Sequence, residues 1–154
     1  PGLDDEFYDE LLHSYSNVET VANRTYELLN NAKAALVTSG TATLETALFA
    51  VPEIICYKGG NISYQIAKRL IKIKFIGLVN LIMDKEVVKE LIQDELNVNN
   101  IATELKKLLE DSARQQQLKQ DYAHLKELLS KGGHASSNAA KSIYSFLQKG
   151  SQEN

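Results

Sequence analysis

Apolar positions along the chain change texture near residue 97. Before it, short apolar runs alternate with helical stretches; after it, three long helical patterns follow one another. Residues 4–14 open on Asp4 and Asp5, acids that suit the positive end of a helix. Val18 to Val21 reads as a short strand, and Ala22, Tyr26 and Leu29 recur at helical spacing over residues 22–31. Ala34-Ala35-Leu36-Val37-Thr38 is a buried-strand run, and residues 41–50 form a helix that Pro52 ends. Glu53 to Tyr57 is a second such run, closed by Gly59-Gly60. A helix over residues 62–72 and a third strand from Phe75 to Val79 follow, whereas residues 85–93 fit helix and strand equally. Helices are then expected at 98–110, 112–131 and 135–148, with breaks at Asp111-Ser112 and Gly132-Gly133.

Strands alternating with helices predict right-handed βαβ units. The fold class is therefore α/β: a Rossmann-like parallel sheet flanked by helices, with a helical C-terminal tail. Residues 1–97 are expected to hold the core, residues 98–149 to complete the domain, and residues 150–154 to be a disordered tail.

Composition narrows the function classes. A chain of 154 residues with 44% hydrophobic and 24% charged positions has the make-up of one ordinary globular domain. A net charge of −3 argues against a strongly basic nucleic-acid binder. Cys56 is the only cysteine, so no intramolecular disulfide is possible, and three scattered histidines make a poor zinc set. No apolar run reaches the roughly 18–20 residues of a membrane span, and the first residues lack the features of a secretory signal. These features read as cytosolic; the start on Pro1-Gly2 reads as a piece of a longer protein. The charge is uneven: residues 1–30 carry seven acids against Arg24, and residues 58–89 carry seven cations against Asp84 and Glu86. A basic middle points to an anionic ligand or surface.

The stretch richest in chemistry is Ser39-Gly40-Thr41-Ala42-Thr43-Leu44-Glu45. A buried strand runs into it and a helix starts at once. Gly40 allows close backbone approach, and the small residues after it leave the first-turn N–H groups open to a phosphate. Glu45 lies one turn further in, where a carboxylate can accept hydrogen bonds from the two hydroxyls of a ribose. The carboxyl end of a strand in an open α/β sheet is where such ligands bind. The plainer reading is that Ser39 or Thr41 caps the helix and Glu45 is a solvated helix residue. Neither a P-loop nor a dinucleotide fingerprint is present.

A set of segments in one order resembles lipid-A-disaccharide synthase. They are Ser39 to Glu45, then Pro52, Tyr57-Lys58, Ala67-Lys68-Arg69-Leu70-Ile71-Lys72, Val79-Asn80-Leu81-Ile82 and Glu86 to Glu95. The resemblance covers about residues 3–147 and only the C-terminal half of such an enzyme. It implies the C-terminal domain of an inverting GT-B glycosyltransferase. Such an enzyme moves 2,3-diacylglucosamine from its UDP derivative to 2,3-diacylglucosamine 1-phosphate, makes a β-1,6 linkage and releases UDP. By resemblance Glu45 would bind the ribose, Ser39, Gly40 and Thr41 would face the diphosphate, and Asn80, Glu90 and Gln93 would line the same cleft. No metal or other cofactor is implied. The general base is expected outside this chain, so the chain alone is expected to be inactive. The implied partners are a UDP-sugar donor, a lipid sugar-phosphate acceptor, the inner face of the inner membrane, and a second protomer exchanging C-terminal helices. Two departures stand out. Val79 occupies a position where the family usually has Pro, and Met83-Asp84-Lys85 stands where Ala-Gly-Arg is common.

Other features have plain and sharp readings. The helix expected over 61–74 has Ile62, Ile66, Leu70 and Ile73 on one stripe, with Lys68, Arg69 and Lys72 off it. It is an amphipathic helix on the sheet, or a basic surface for anionic lipid or sugar phosphate. Tyr57, Lys58 and Lys85 are further candidates for phosphate or surface contact. Glu90 and Asp94 would share a face if helical, and a solvated acidic face is the plain reading. His134 reads as a loop or cap residue, while His13 and His124 lack the companions of a triad. Cys56 reads as an inert core residue. Ala139, Ala140, Ile143, Phe146 and Leu147 give the last helix an apolar side to bury, on its own domain or on a partner. Two alternatives remain: another GT-B UDP-sugar enzyme, such as a murein glycosyltransferase or a UDP-sugar epimerase, or a non-catalytic membrane-surface or dimerisation module.

Overall fold

Three short runs become a parallel sheet in the computed structural model, which describes residues 4–38, 40–60, 74–131, 133 and 135–150. The strands are β1 (Ala35–Thr38), β2 (Glu53–Tyr57) and β3 (Lys89–Ile92), in the order β1-β2-β3. Ala35 lies opposite Glu53 and Thr38 opposite Cys56; Ile54 lies opposite Lys89 and Tyr57 opposite Ile92. All three carboxyl ends therefore share one edge. The helices are α1 (Asp5–Leu12), α2 (Thr25–Asn31), α3 (Thr41–Leu48), α4 (Leu78–Met83), α5 (Val98–Glu110), α6 (Ser112–Lys131) and α7 (Ala135–Gly150). The α/β sheet flanked by helices and followed by a C-terminal helix agrees with the fold class expected from the sequence.

The chain divides into two units, Pro1–Ala32 with α1 and α2, and Lys33–Asn154 with the sheet and the remaining helices. In the second unit α5 packs on β2 and β3, while α6 packs on α3, α4 and α5. The core joins Ile54, Ile55, Val79, Val87, Val88, Leu91, Leu108, Leu118 and Leu125. The α5–α6 corner is made by local polar bonds. Asp111 Oδ1 accepts the Arg114 N–H at 3.0 Å, and Gln115 Nε2 donates to the carbonyls of Leu108 and Leu109. At the other end of α5, Asn97 caps by accepting the Asn100 N–H at 3.0 Å.

Two sequence expectations are corrected. No strand forms from Val18 to Val21. The third strand is not at Phe75 to Val79 but at Lys89–Ile92, inside the stretch that fitted both states. The reason is where the backbone donors go. The N–H groups of Ile76 and Gly77 bond to the Glu90 side chain at 2.9 and 3.0 Å instead of to a neighbouring strand. A Cβ on Gly77 would lie 2.1 Å from Ile55 Cδ1, so the segment crosses the sheet face too closely for any side chain there. Leu78 then begins α4.

Ser39, the helix expected over 62–72 with Lys68, Arg69 and Lys72, His134 and the tail residues 151–154 lie outside the described residues.

Candidate functional site

The start of α3 sits at the carboxyl edge of β1. Gly40 is its N-terminal boundary at φ 141°, ψ −164°, a backbone conformation open in practice only to glycine. Among the described residues nothing lies within 4 Å of where a Cβ would be, so the conformation follows the chain path and not crowding by them. Among the described residues no side chain caps the helix, and its first turn holds no acid. Thr43 Oγ1 turns back to donate to the Gly40 carbonyl at 2.8 Å, and Thr46 Oγ1 donates to the Ala42 carbonyl at 2.8 Å. Thr41 and Ala42 are exposed, and Glu45 is half-buried one turn in. This is a helix terminus with its first two residues exposed and the Thr43 N–H bonded to the Gly40 carbonyl at 3.3 Å, a dipole unopposed by local acids, and a carboxylate one turn away.

Across the same edge, the loops after β2 and β3 are joined. The Gly59 N–H donates to Gln93 Oε1 and Gln93 Nε2 donates to the Gly59 carbonyl, both at 3.2 Å. Gln93 is buried and adopts φ 52°, a left-handed conformation that costs an L-residue about 1 kcal/mol or more. Tyr57 and Lys58 are exposed at the end of β2. The Tyr57 phenol lies over Gly59, where a Cβ would come within 2.9 Å of its oxygen.

Asn80 and Glu90, which the resemblance groups with the cleft, lie inside the protein and are hydrogen-bonded there. Asn80 is 0% exposed. Its Oδ1 accepts the N–H groups of Val87 and Val88 at 2.8 and 2.9 Å; its Nδ2 donates to the Val88 carbonyl and to Glu90 Oε1, both at 2.8 Å. Glu90, 7% exposed, thus accepts three N–H donors, from Ile76, Gly77 and Asn80. Glu90 and Asp94 do not share a helical face: Glu90 is on β3, and Asp94 is exposed on the following 3-10 turn.

Lys85 is also committed. Its ammonium pairs with Asp121 of α6 at 2.5 Å. Asp84 beside it closes α4 in the left-handed conformation, φ 47°. Arg114 of α6 donates to the Val87 carbonyl at 2.6 Å. The ties made by Arg114 and Asp121 were missed by sequence reasoning. They join residues 27 and 36 positions apart, and no local pattern marks them. Also missed was Glu53, whose place in an apolar run was the available signal. It is 1% exposed, neither carboxyl oxygen has a partner among the described residues, and burial pushes its pKa up to about 9. Burial also raises the Tyr122 phenol, with the Glu53 charge adding to it. Cys56 is half-buried, its thiol raised by burial, in keeping with an unreactive residue. Exposed His13 bonds to the Glu10 carbonyl, and exposed His124 lies 3.9 Å from Glu127.

Comparison with known proteins bears on all of this. The family described as Lipid-A-disaccharide synthetase matches residues 6–144. The chain is 38% identical over 117 residues to the lipid-A-disaccharide synthase of Geobacter sulfurreducens, covering 76% of this chain and 30% of that protein. It is 39% identical over 137 residues to the synthase of a Sulfurihydrogenibium species, covering 89% of this chain and 35% of that protein. A third, from Syntrophus aciditrophicus, is 39% identical over 132 residues, covering 86% and 34%. The chain therefore spans about a third of the length of the curated relatives it matches.

Proposed function

The chain belongs to the lipid-A-disaccharide synthetase family, and from that premise we propose that it is the nucleotide-sugar-binding part of a lipid-A-disaccharide synthase. The observation that carries this reading is the uncapped start of α3 with Glu45 one turn in. In it, the first-turn N–H groups and Gly40 receive the diphosphate of a UDP-sugar, with Ser39 and Thr41 beside it, and Glu45 accepts the two ribose hydroxyls. As the glycosyl C1–O bond breaks, negative charge grows on the departing diphosphate. Fixed N–H donors and the α3 dipole stabilise that charge. The acceptor hydroxyl of 2,3-diacylglucosamine 1-phosphate forms the new bond to C1, and its proton goes to a base not assigned to this chain.

Gln93 stands at the same edge as a candidate for the sugar side of the donor, supported by its left-handed backbone. Tyr57 and Lys58 flank it. Asn80 and Glu90 serve this site from the interior, by setting α4 and β3, and Lys85 does so through Asp121. The reading extends to a homodimer joined through α7, whose Ile143, Tyr144 and Phe146 are exposed. It extends also to peripheral contact with the membrane that holds the lipid substrates. Among the described residues no helix is long and apolar enough to cross a membrane.

Titration of the chain with UDP, beside Glu45→Ala, tests the nucleotide site. Sedimentation of the chain against a form ending at residue 134 tests the dimer: wild-type dimers and truncated monomers are expected.

A further inference from the structure

The peptide of Val87 is held from both sides. Its N–H donates to Asn80 Oδ1 at 2.8 Å, and its carbonyl accepts from Arg114 Nη2 at 2.6 Å. Two residues earlier, Lys85 pairs with Asp121 at 2.5 Å, and Gln117 Nε2 donates to the second Asp121 oxygen at 3.3 Å. Helix α6 therefore grips the 85–88 segment at two points, Arg114 and Asp121, about two turns apart along the helix. The gripped segment is the one that Asn80 reads. Its Oδ1 takes both the Val87 and Val88 N–H groups, so the orientation of its amide is set by where those peptides lie. The same amide then presents its Nδ2 to Glu90, whose carboxylate holds Ile76 and Gly77 at the start of α4. Helix α3, which carries Thr41 and Glu45, packs on both α4 and α6.

We propose that Arg114 is a positioning residue for the nucleotide site: through the Val87 peptide and Asn80 it sets α4, and with α4 the seat of α3. The inference rests on the nucleotide reading above. It adds a residue that touches neither the nucleotide nor the first turn of α3. A guanidinium suits the task because it is always charged and donates in a fixed direction. Its partner is a backbone carbonyl, so changing the side chain at position 87 cannot substitute for it.

The test is UDP titration of the 154-residue chain, folded by circular dichroism and well below its unfolding temperature. The variants are Arg114→Met, which keeps the apolar stem, Arg114→Lys, which keeps one donor, and Glu45→Ala as the control for the nucleotide reading. The expected result is about tenfold weaker UDP binding by Arg114→Met, the scale on which small misplacements act. Arg114→Lys is expected to recover most of that loss. A merely structural arginine would lower the unfolding temperature and leave UDP affinity in the folded chain unchanged. Wild-type affinity in folded Arg114→Met, with Glu45→Ala weakened, overturns the proposal and leaves the nucleotide reading standing. No binding by the folded wild-type chain overturns both. If Arg114→Met does not fold, Arg114→Gln, whose shorter side chain draws the donor back from the Val87 carbonyl, is judged by the same outcomes.

Discussion

Two glutamates lie buried in one small sheet and live in opposite circumstances. Glu90, on β3, meets three N–H donors from Ile76, Gly77 and Asn80. Glu53, at the head of β2, meets none among the described residues, and burial pushes its pKa up to about 9. Burying a carboxylate is costly unless donors replace the water it loses. Glu90 has its replacement built in and can organise the chain around its carboxyl group. Glu53 keeps its proton instead. The contrast also frames Glu45, half-buried on α3, which neither organises the interior nor hides in it.

The largest effect is expected at the satisfied carboxylate. Glu90→Leu removes the side-chain acceptor of the buried Gly77 N–H, the half-buried Ile76 bond and one of the two bonds that Asn80 Nδ2 donates. A loss of about 4 kcal/mol in urea unfolding is expected, or failure to fold. If the loss stays within about 1 kcal/mol, the contrast with Glu53 collapses.

Glu53 sharpens the comparison with the opposite sign. Its folded pKa is raised from 4.5 to about 9. Below pH 4.5 both states hold the proton and no penalty arises. As pH rises from there to about 9 the unfolded chain ionises first, so stability falls through that window. At pH 7 the penalty is about 3 kcal/mol, from roughly 1.4 kcal/mol per pH unit. Glu53→Gln is expected to flatten this part of the pH–stability curve, and Glu53→Met to raise stability more at pH 8 than at pH 5. Parallel curves for wild type and Glu53→Gln would show that Glu53 titrates normally.

Smaller effects follow from backbone conformation. Gly40→Ala creates no clash but places an L-residue at φ 141°, costing about 1–3 kcal/mol in thermal unfolding. Asp84→Gly relieves the left-handed end of α4 and is expected to gain up to about 1 kcal/mol. The Lys74–Asp84 pair that it removes is exposed and contributes little.

The parts legible in the sequence are those built from near neighbours. The α5 and α6 helices span the expected residues, and α7 runs two residues beyond the expected 148. Asn97 and Asp111 act within three residues of themselves. The start of α3 was legible for the same reason, since a strand, a glycine and a run of small residues are adjacent. The third strand was misplaced because its decisive bonds are tertiary. Glu90 draws off the donors of residues 76 and 77, which read as strand, from 14 and 13 positions away. Asn80 and Glu90 carry chemistry that suits a cleft, and only the fold reveals that both are buried and hydrogen-bonded to the interior.

The central claim is that the open start of α3 with Glu45 binds the nucleotide of a UDP-sugar. Calorimetric titration of the chain with UDP, beside Glu45→Ala, tests it most directly. The account predicts saturable binding by the wild type and a loss of about tenfold or more in Glu45→Ala, the scale of one charge-assisted hydrogen-bonded contact. A folded wild-type chain that does not bind UDP, or a Glu45→Ala variant that binds it equally well, would contradict the account.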